Sequence, residues 1–204
     1  MLKLKKTAKA VTIKRHHYLY LENDVAETVY ILEQGMVMLT KLMPGGQEVG
    51  IIMLSGKNFF GHCEVLSASQ REHQAMGLTE CKLWAVNAQA FMREANASSE
   101  FAMALARLQN ERLRHVEQHI RAITHDNVAK RLTTTLMEIA HSHGCEREDE
   151  ALINPCPTHH DLAVMISSTR ETVSTVMSQL RKQRIIDFDR KNIRILNKNL
   201  LLQF

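Results

Sequence analysis

The segment from Thr158 to Leu180 constrains this chain more than any other. It reads Thr158-His159-His160-Asp161-Leu162-Ala163-Val164-Met165-Ile166, then Ser167-Ser168, then Thr169-Arg170-Glu171-Thr172-Val173-Ser174-Thr175-Val176-Met177-Ser178-Gln179-Leu180. Leu162, Ala163 and Ile166 share one side of a short predicted helix. Val173, Val176, Met177 and Leu180 keep the i, i+3, i+4, i+7 spacing of a second. Thr158 and Thr169 stand where a hydroxyl satisfies the free N–H groups of a helix start. A polar pair, with no room for a long loop, joins the two stripes. This is the helix-turn-helix arrangement, whose second helix lies in the DNA major groove with its N-terminal residues against base edges.

The side chains at that position suit base reading. The guanidinium of Arg170 can donate two hydrogen bonds to guanine O6 and N7, and the Glu171 carboxylate can accept one from cytosine N4. Together they predict a half-site with G·C pairs close together. Ser174 and Thr175, one turn on, can add contacts to bases or to a thymine methyl. Thr158, Thr169 and Thr172 suit phosphates, which fix register without reading sequence. Double-stranded DNA is therefore the expected partner.

These residues resemble the helix-turn-helix of the CRP/FNR superfamily of bacterial transcription regulators. Its Ser-x-Arg-Glu-Thr-Val core stands here as Ser168-Thr169-Arg170-Glu171-Thr172-Val173. Leu180 to Ile186 resembles the end of that helix leading into a small β-wing, with Phe188, Ile193 and Ile195 as wing strands around Asp189-Arg190-Lys191-Asn192. Thr175 departs from cyclic-AMP-type members, which carry a second arginine there, while Ser174 matches the FNR-like branch. The resemblance implies an operator that contains G·C pairs and leaves the rest of it open.

Charge agrees with a sensor joined to a DNA binder: residues 1–150 carry 18 Lys+Arg against 18 Asp+Glu, whereas 151–204 carry 8 against 4. No apolar run approaches the roughly 18 residues that cross a bilayer. The basic start Met1-Leu2-Lys3-Leu4-Lys5-Lys6 lacks the apolar stretch of a signal peptide. Cys63, Cys81, Cys145 and Cys156 are widely spaced with no Cys-x-x-Cys pair, as expected of a reduced cytoplasmic protein. The first 60 residues hold no cysteine, so the N-terminal iron–sulfur ligand cluster of FNR is not expected. No metal-ligand set stands out, and His141-Ser142-His143-Gly144 reads as a polar helix end closed by Gly144.

Residues 11–91 read as β structure, in short alternating runs at 11–13, 18–20, 28–32, 36–40, 48–53 and 81–86 separated by turn signals such as Gln34-Gly35 and Pro44-Gly45-Gly46. The run Tyr30 to Val37, followed by Leu54-Ser55-Gly56 and Phe59-Phe60-Gly61, resembles the cyclic-nucleotide-binding jelly roll of the same superfamily. The resemblance thus covers nearly the whole chain. It also names an effector pocket: Gly61, His62, Arg71 and Glu72, with Glu111 and Arg112 where cyclic-AMP-type members offer hydroxyls to the base. His62 replaces the glutamate of those members, and Glu72-His73 replaces Ser/Thr-Ala after Arg71. A carboxylate beside a phosphodiester repels it, so cyclic AMP and cyclic GMP are not the expected effector, and the small effector is unknown. His62 also falls where the haem-containing, CO-sensing branch has its axial histidine, which makes haem a rival reading. A thiol switch through Cys63 and Cys81 is another.

Ser98 to about His125 reads as one helix, with Phe101, Leu105, Leu108, Val116, Ile120 and Ile123 near helical spacing and Arg112 interrupting the seam. In the superfamily this helix pairs with its twin, so the resemblance implies a homodimer on palindromic operators. Asp126 is placed to cap the next helix, and the acidic run Glu146 to Glu150 reads as a solvated loop within reach of RNA polymerase. The expected class is α+β: a jelly-roll sensor at 1–97, a dimerisation helix at 98–125 and a winged helix-turn-helix at 126–204. The function expected is that of a transcription regulator with RNA polymerase as a further partner; an activator is the working expectation, and the residues leave activation or repression open. A rival class is a cyclic-nucleotide-fold module acting on a protein partner without DNA. No nucleophile–base pair, phosphate loop or carboxylate pair suggests catalysis.

Overall fold

The computed structural model describes residue 4 and residues 7–46 and 48–204. The basic start read above lies outside the described residues except for Leu4. The chain divides into two compact units, Met1–Gln118 and His119–Phe204.

The first unit is built on two four-stranded antiparallel sheets. One has the order β1 (Lys9–Ile13), β8 (Cys81–Asn87), β3 (Thr28–Gln34), β6 (Asn58–Phe60). The other has the order β2 (Tyr18–Tyr20), β7 (Gln74–Gly77), β4 (Met36–Leu42), β5 (Glu48–Ser55). Successive strand residues face opposite sides of a sheet, and β3 shows the consequence. Leu32 joins a cluster with Val37, Leu54, Phe60 and Leu83, whereas Val29 and Ile31 join Phe59, Val86, Phe91 and Leu105 on the other face. The first sheet is thus buried on both faces at β3. Gly35, between β3 and β4, has φ +100°, and a Cβ there would lie 2.5 Å from the Glu80 carbonyl oxygen, so this tight turn accepts only glycine.

The unit also carries the helices α1 (Cys63–Ser67), α2 (Ala88–Ala97) and the first part of α3 (Ser99–His125). Residues 88–91 are therefore helical and not β. Asn87 ends β8 and caps α2 through the Gln89 N–H, so the two states meet at one residue. Strands β6 and β7, of three and four residues, are too short to show a period in sequence. The expected single stripe of α3 is in fact two. Phe101, Leu105 and Leu108 pack onto the first sheet, whereas Met103, Leu113, Ile120 and Ile123 are exposed. Arg112 interrupts no seam, because its guanidinium bonds the Asn58 side chain (3.3 Å) and the Phe59 carbonyl.

In the second unit, α4 (Val128–His143), α5 (His159–Met165), α6 (Arg170–Lys182) and α7 (Lys198–Gln203) surround a sheet ordered β11 (Ile186–Phe188), β12 (Ile193–Ile195), β10 (Glu150–Ile153), β9 (Cys145–Arg147). The wing is present as read: Asp189 N–H donates to the Asn192 carbonyl at its turn, and Phe188 faces Ile193. Gly144 closes α4 as expected, its N–H bonding the Ala140 carbonyl. Two expectations are corrected. The acidic run is exposed as read, but it is a hairpin and not an irregular loop: β9 pairs with β10, and Glu146 holds Lys198 at 2.9 Å. The cap of α4 is Asn127, whose side chain accepts from Lys130 N–H, while the Asp126 carbonyl accepts from Arg131. Both side chains can cap, and the chain enters the helix one residue later than read.

Candidate nucleic-acid interface and interior polar cluster

The geometry of the Thr158–Lys182 segment follows from its caps. Thr158 and Asp161 form a reciprocal box: the Asp161 N–H donates to Thr158 Oγ1 (3.1 Å), and the Thr158 N–H donates to Asp161 Oδ2 (2.8 Å). Ser167 turns the chain in the left-handed region at φ 52°, and the Ser168 N–H closes the turn on the Ala163 carbonyl at 2.9 Å. Thr169 Oγ1 then accepts from the Thr172 N–H and starts α6. Val173, Val176, Met177 and Leu180 are buried against the unit, each such burial worth roughly 1.5–3 kcal/mol. That packing decides which side of α6 faces outward.

The outward side carries Arg170, Glu171, Thr175, Ser178 and Gln179, all exposed, with Thr172 and Ser174 half-buried beside them. Thr158 and Thr169 are exposed at the two helix starts. All seven residues expected to meet DNA therefore lie on these two helices or their caps. Several polar side chains are already bonded within the protein. Thr175 Oγ1 donates to the Glu171 carbonyl (3.0 Å), Thr169 and Thr172 share a hydroxyl contact (2.9 Å), and Ser174 Oγ meets His159 Nδ1 at 2.8 Å. Ser178 and Gln179 were not singled out in sequence, although the period that buries Val176 and Leu180 places both on the outer side. Arg131 joins the Asp126 carbonyl (2.8 Å) to the Ile166 carbonyl (2.9 Å), and so ties the start of α4 to the helix-turn-helix turn.

The residues expected to line an effector pocket are only partly brought together. Gly61, His62 and Arg71 are buried. Arg71 donates to the Gly61 carbonyl (2.7 Å) and to the Thr28 carbonyl, lies 3.6 Å from Glu64 Oε2, and stacks on Tyr20 with its guanidinium carbon 4.3 Å from the ring centre. Gly61 has φ +73°, and a Cβ there would come within 2.8 Å of the guanidinium. Glu72 and Glu111 are exposed, and Arg112 turns toward Asn58 and Phe59. The acid that meets Arg71 is Glu64, a residue sequence reading passed over. Burial pushes its carboxyl up, but His73, backbone N–H groups and Arg71 outweigh that and hold it at about 2.

His62 is fully buried between the rings of Phe59 (4.9 Å) and Phe91 (6.4 Å), with its Nε2 against the Gln109 amide. Burial first, and Arg112 second, lower its pKa to about 4. Its Nδ1 has no hydrogen-bond partner among the described residues, whereas a metal-bound imidazole anchors its second nitrogen. A ring packed on aromatic faces and held at Nε2 does not fit haem ligation. The thiols fit a redox switch no better. Cys63 is exposed and Cys81 buried, yet desolvation pushes the pKa of both thiols up, and Cys81 Sγ donates to the Met36 carbonyl (3.1 Å) inside the core.

A double-sheet β domain with a winged helix-turn-helix on the same chain defines a one-component transcription regulator. The comparisons with known proteins make this specific. Residues 101–204 match the Crp-like helix-turn-helix domain, and residues 10–98 match the cyclic nucleotide-binding domain. The chain belongs to the CRP/FNR family of DNA-binding transcription regulators. It is 26% identical over 186 residues to the global nitrogen regulator of a Nostoc species, covering 90% of this chain and 83% of that protein. It is 25% identical over 187 residues to the anaerobic regulatory protein of Bacillus subtilis, covering 91% and 79%. Among solved structures, FixK2 from Bradyrhizobium japonicum shares the fold at a TM-score of 0.84, with 22% identity over 96% of each chain. No enzyme family is among these matches, and no helix among the described residues is long and apolar enough to cross a membrane.

Proposed function

We propose that the protein acts as a homodimer that reads palindromic, G·C-containing operators through α6 and activates transcription by contact with RNA polymerase in the cytoplasm. The observation that carries this reading is the exposed Arg170-Glu171 pair at the capped start of α6, opposite the buried Val173, Val176, Met177 and Leu180. Arg170 and Glu171 read bases, Ser174 and Thr175 extend the reading by a turn, and Thr158, Thr169 and Thr172 position the phosphates. Residues 98–125 provide the dimer seam, supported by the exposed apolar side chains of Met103, Leu113, Ile120 and Ile123. Such a seam requires a partner to leave water. Residues 1–97 serve as the sensor and 126–204 as the DNA-binding domain.

The sensor's effector is not a cyclic nucleotide in this reading. One N–H on each Nη of Arg71 is engaged by the Gly61 or Thr28 carbonyl, and the Glu64 carboxylate adds negative charge beside the guanidinium, which disfavours a phosphate there although Nε has no partner among the described residues. Fluorescence anisotropy of the effector-free protein on palindromic duplexes, with scrambled competitors at fixed near-physiological salt, tests the whole reading. Selective binding without effector is expected. Equal affinity for operator and scrambled duplex, with and without cyclic AMP, would overturn it.

A further inference from the structure

His159 opens α5, outside the stretch of α6 that meets bases, and has had no role so far. The structure fixes it on several sides. Its backbone is set by the Thr158–Asp161 box, and its ring lies 5.5 Å from that of Phe188 at 64°. Phe188 in turn carries the Arg181 guanidinium at 4.9 Å, and Arg181 pairs with Asp187 at 2.8 Å. From this held position, Nδ1 lies 2.8 Å from Ser174 Oγ. The imidazole is half-buried, and the Arg170 cation acts on it from α6.

A serine hydroxyl is a poor reader by itself. It has one proton and two lone pairs and rotates freely, so it can donate to guanine or thymine and can accept from cytosine N4 or adenine N6. A fixed neighbour removes that ambiguity. On α6, Thr175 donates to the Glu171 carbonyl and Ser178 to the Ser174 carbonyl, four residues back in each case. The ring nitrogen that meets Ser174 Oγ is His159 Nδ1, which accepts or donates according to the tautomer. A neutral imidazole with its proton on Nε2 accepts there, which leaves Ser174 with only lone pairs toward the groove.

We infer that His159 is a specificity-determining positioning residue: it fixes Ser174 as a hydrogen-bond acceptor, so that the half-site position facing Ser174 prefers a base whose exocyclic amino group lies in the major groove, cytosine or adenine. This rests on the proposal that α6 reads DNA.

The test is a panel of operator duplexes with each of the four bases at each half-site position, measured by competition anisotropy on the full-length protein. The wild type is expected to favour C or A roughly three- to tenfold at one position. His159→Phe should flatten that position alone and leave the G·C preference of Arg170 and the affinity for scrambled DNA unchanged. His159→Gln, whose amide oxygen accepts the same proton, should restore it. Ser174→Ala should flatten the same position, and adding His159→Phe to it should cost nothing further. Should His159→Phe not fold, as judged by thermal melting, His159→Leu and Ser174→Ala carry the comparison. A uniform loss on every duplex would make His159 a backbone contact and overturn the inference, as would an unchanged panel. If the wild type shows no selectivity at any position, the reading role of α6 fails, and this inference fails with it.

Discussion

Arg170 and Glu171 show how much a single position can carry. Their types and spacing were enough to propose base reading, and the structure adds that α6 turns them outward. Replacing Arg170 with alanine is expected to cost about 1–3 kcal/mol at the operator and to relax preference at one G·C pair, measured as the affinity ratio between operator and single-base variants. An equal loss on scrambled DNA would make Arg170 a phosphate contact. Buried ionisable residues give the second expectation. His62 titrates at about 4 in the fold against 6.5 in the open chain, so the unfolded state binds more protons between those values. Stability is therefore lost as pH falls from about 6.5 to about 4. Glu64, at about 2 against 4.5, has the same sign in a lower window, and its contribution is lost from about pH 4.5 down toward 2. Melting temperature followed against pH should show both declines, and His62→Gln should flatten the upper one.

At the scale of the element, caps and stripes decide. The Thr158–Asp161 box satisfies two N–H groups at once, and Thr158→Ala is expected to cost about 0.5–2 kcal/mol of unfolding free energy in denaturant titrations. Helix α3 makes the larger point. Its spacing was legible in sequence, but the division of its apolar residues between two faces was not. Phe101, Leu105 and Leu108 face the first sheet, whereas Leu113 and Ile120 are each 57% exposed. A single strand of text cannot say which neighbour covers a stripe, because period fixes direction around the axis and not the occupant on that side. Leu113→Glu with Ile120→Glu is expected to yield a monomer by sedimentation equilibrium at micromolar protein, with the melting of the β domain unchanged. A stable dimer in that variant would move the association surface elsewhere.

For the molecule as a whole, the question is how the start of α4 is coupled to the helix-turn-helix. Within the second unit Arg131 provides a direct route, joining the carbonyl of Asp126 to that of Ile166 next to the left-handed Ser167. Arg131→Ala removes these charge-assisted bonds, each worth about 1.5–3 kcal/mol. Amide exchange at Ser167 to Thr169 is expected to quicken by one or more orders of magnitude relative to the α4 core. Unchanged exchange there would show that side-chain packing alone holds the turn. The pocket is where sequence reading reached least far. It singled out Gly61, His62 and Arg71, which the fold buries in one region, but also Glu72 and Glu111, which the fold leaves at the surface. It missed Glu64, whose place on a five-residue helix has no period to announce it.

The alternation of the β runs, the paired stripes around Ser167-Ser168 and the threonine caps are local properties, and each was determined by residues within a few positions of one another. They set the class of fold, the position of the second helix of the helix-turn-helix and the family. Tertiary structure alone decided that Arg71 is held by the Gly61 and Thr28 carbonyls and faces Glu64, that His62 is locked among phenylalanine rings, and that His159 holds Ser174. Apart from the neighbouring Phe59–His62 pair, those contacts join residues 7 to 43 positions apart, and they depend on side-chain direction and burial, which no local pattern encodes.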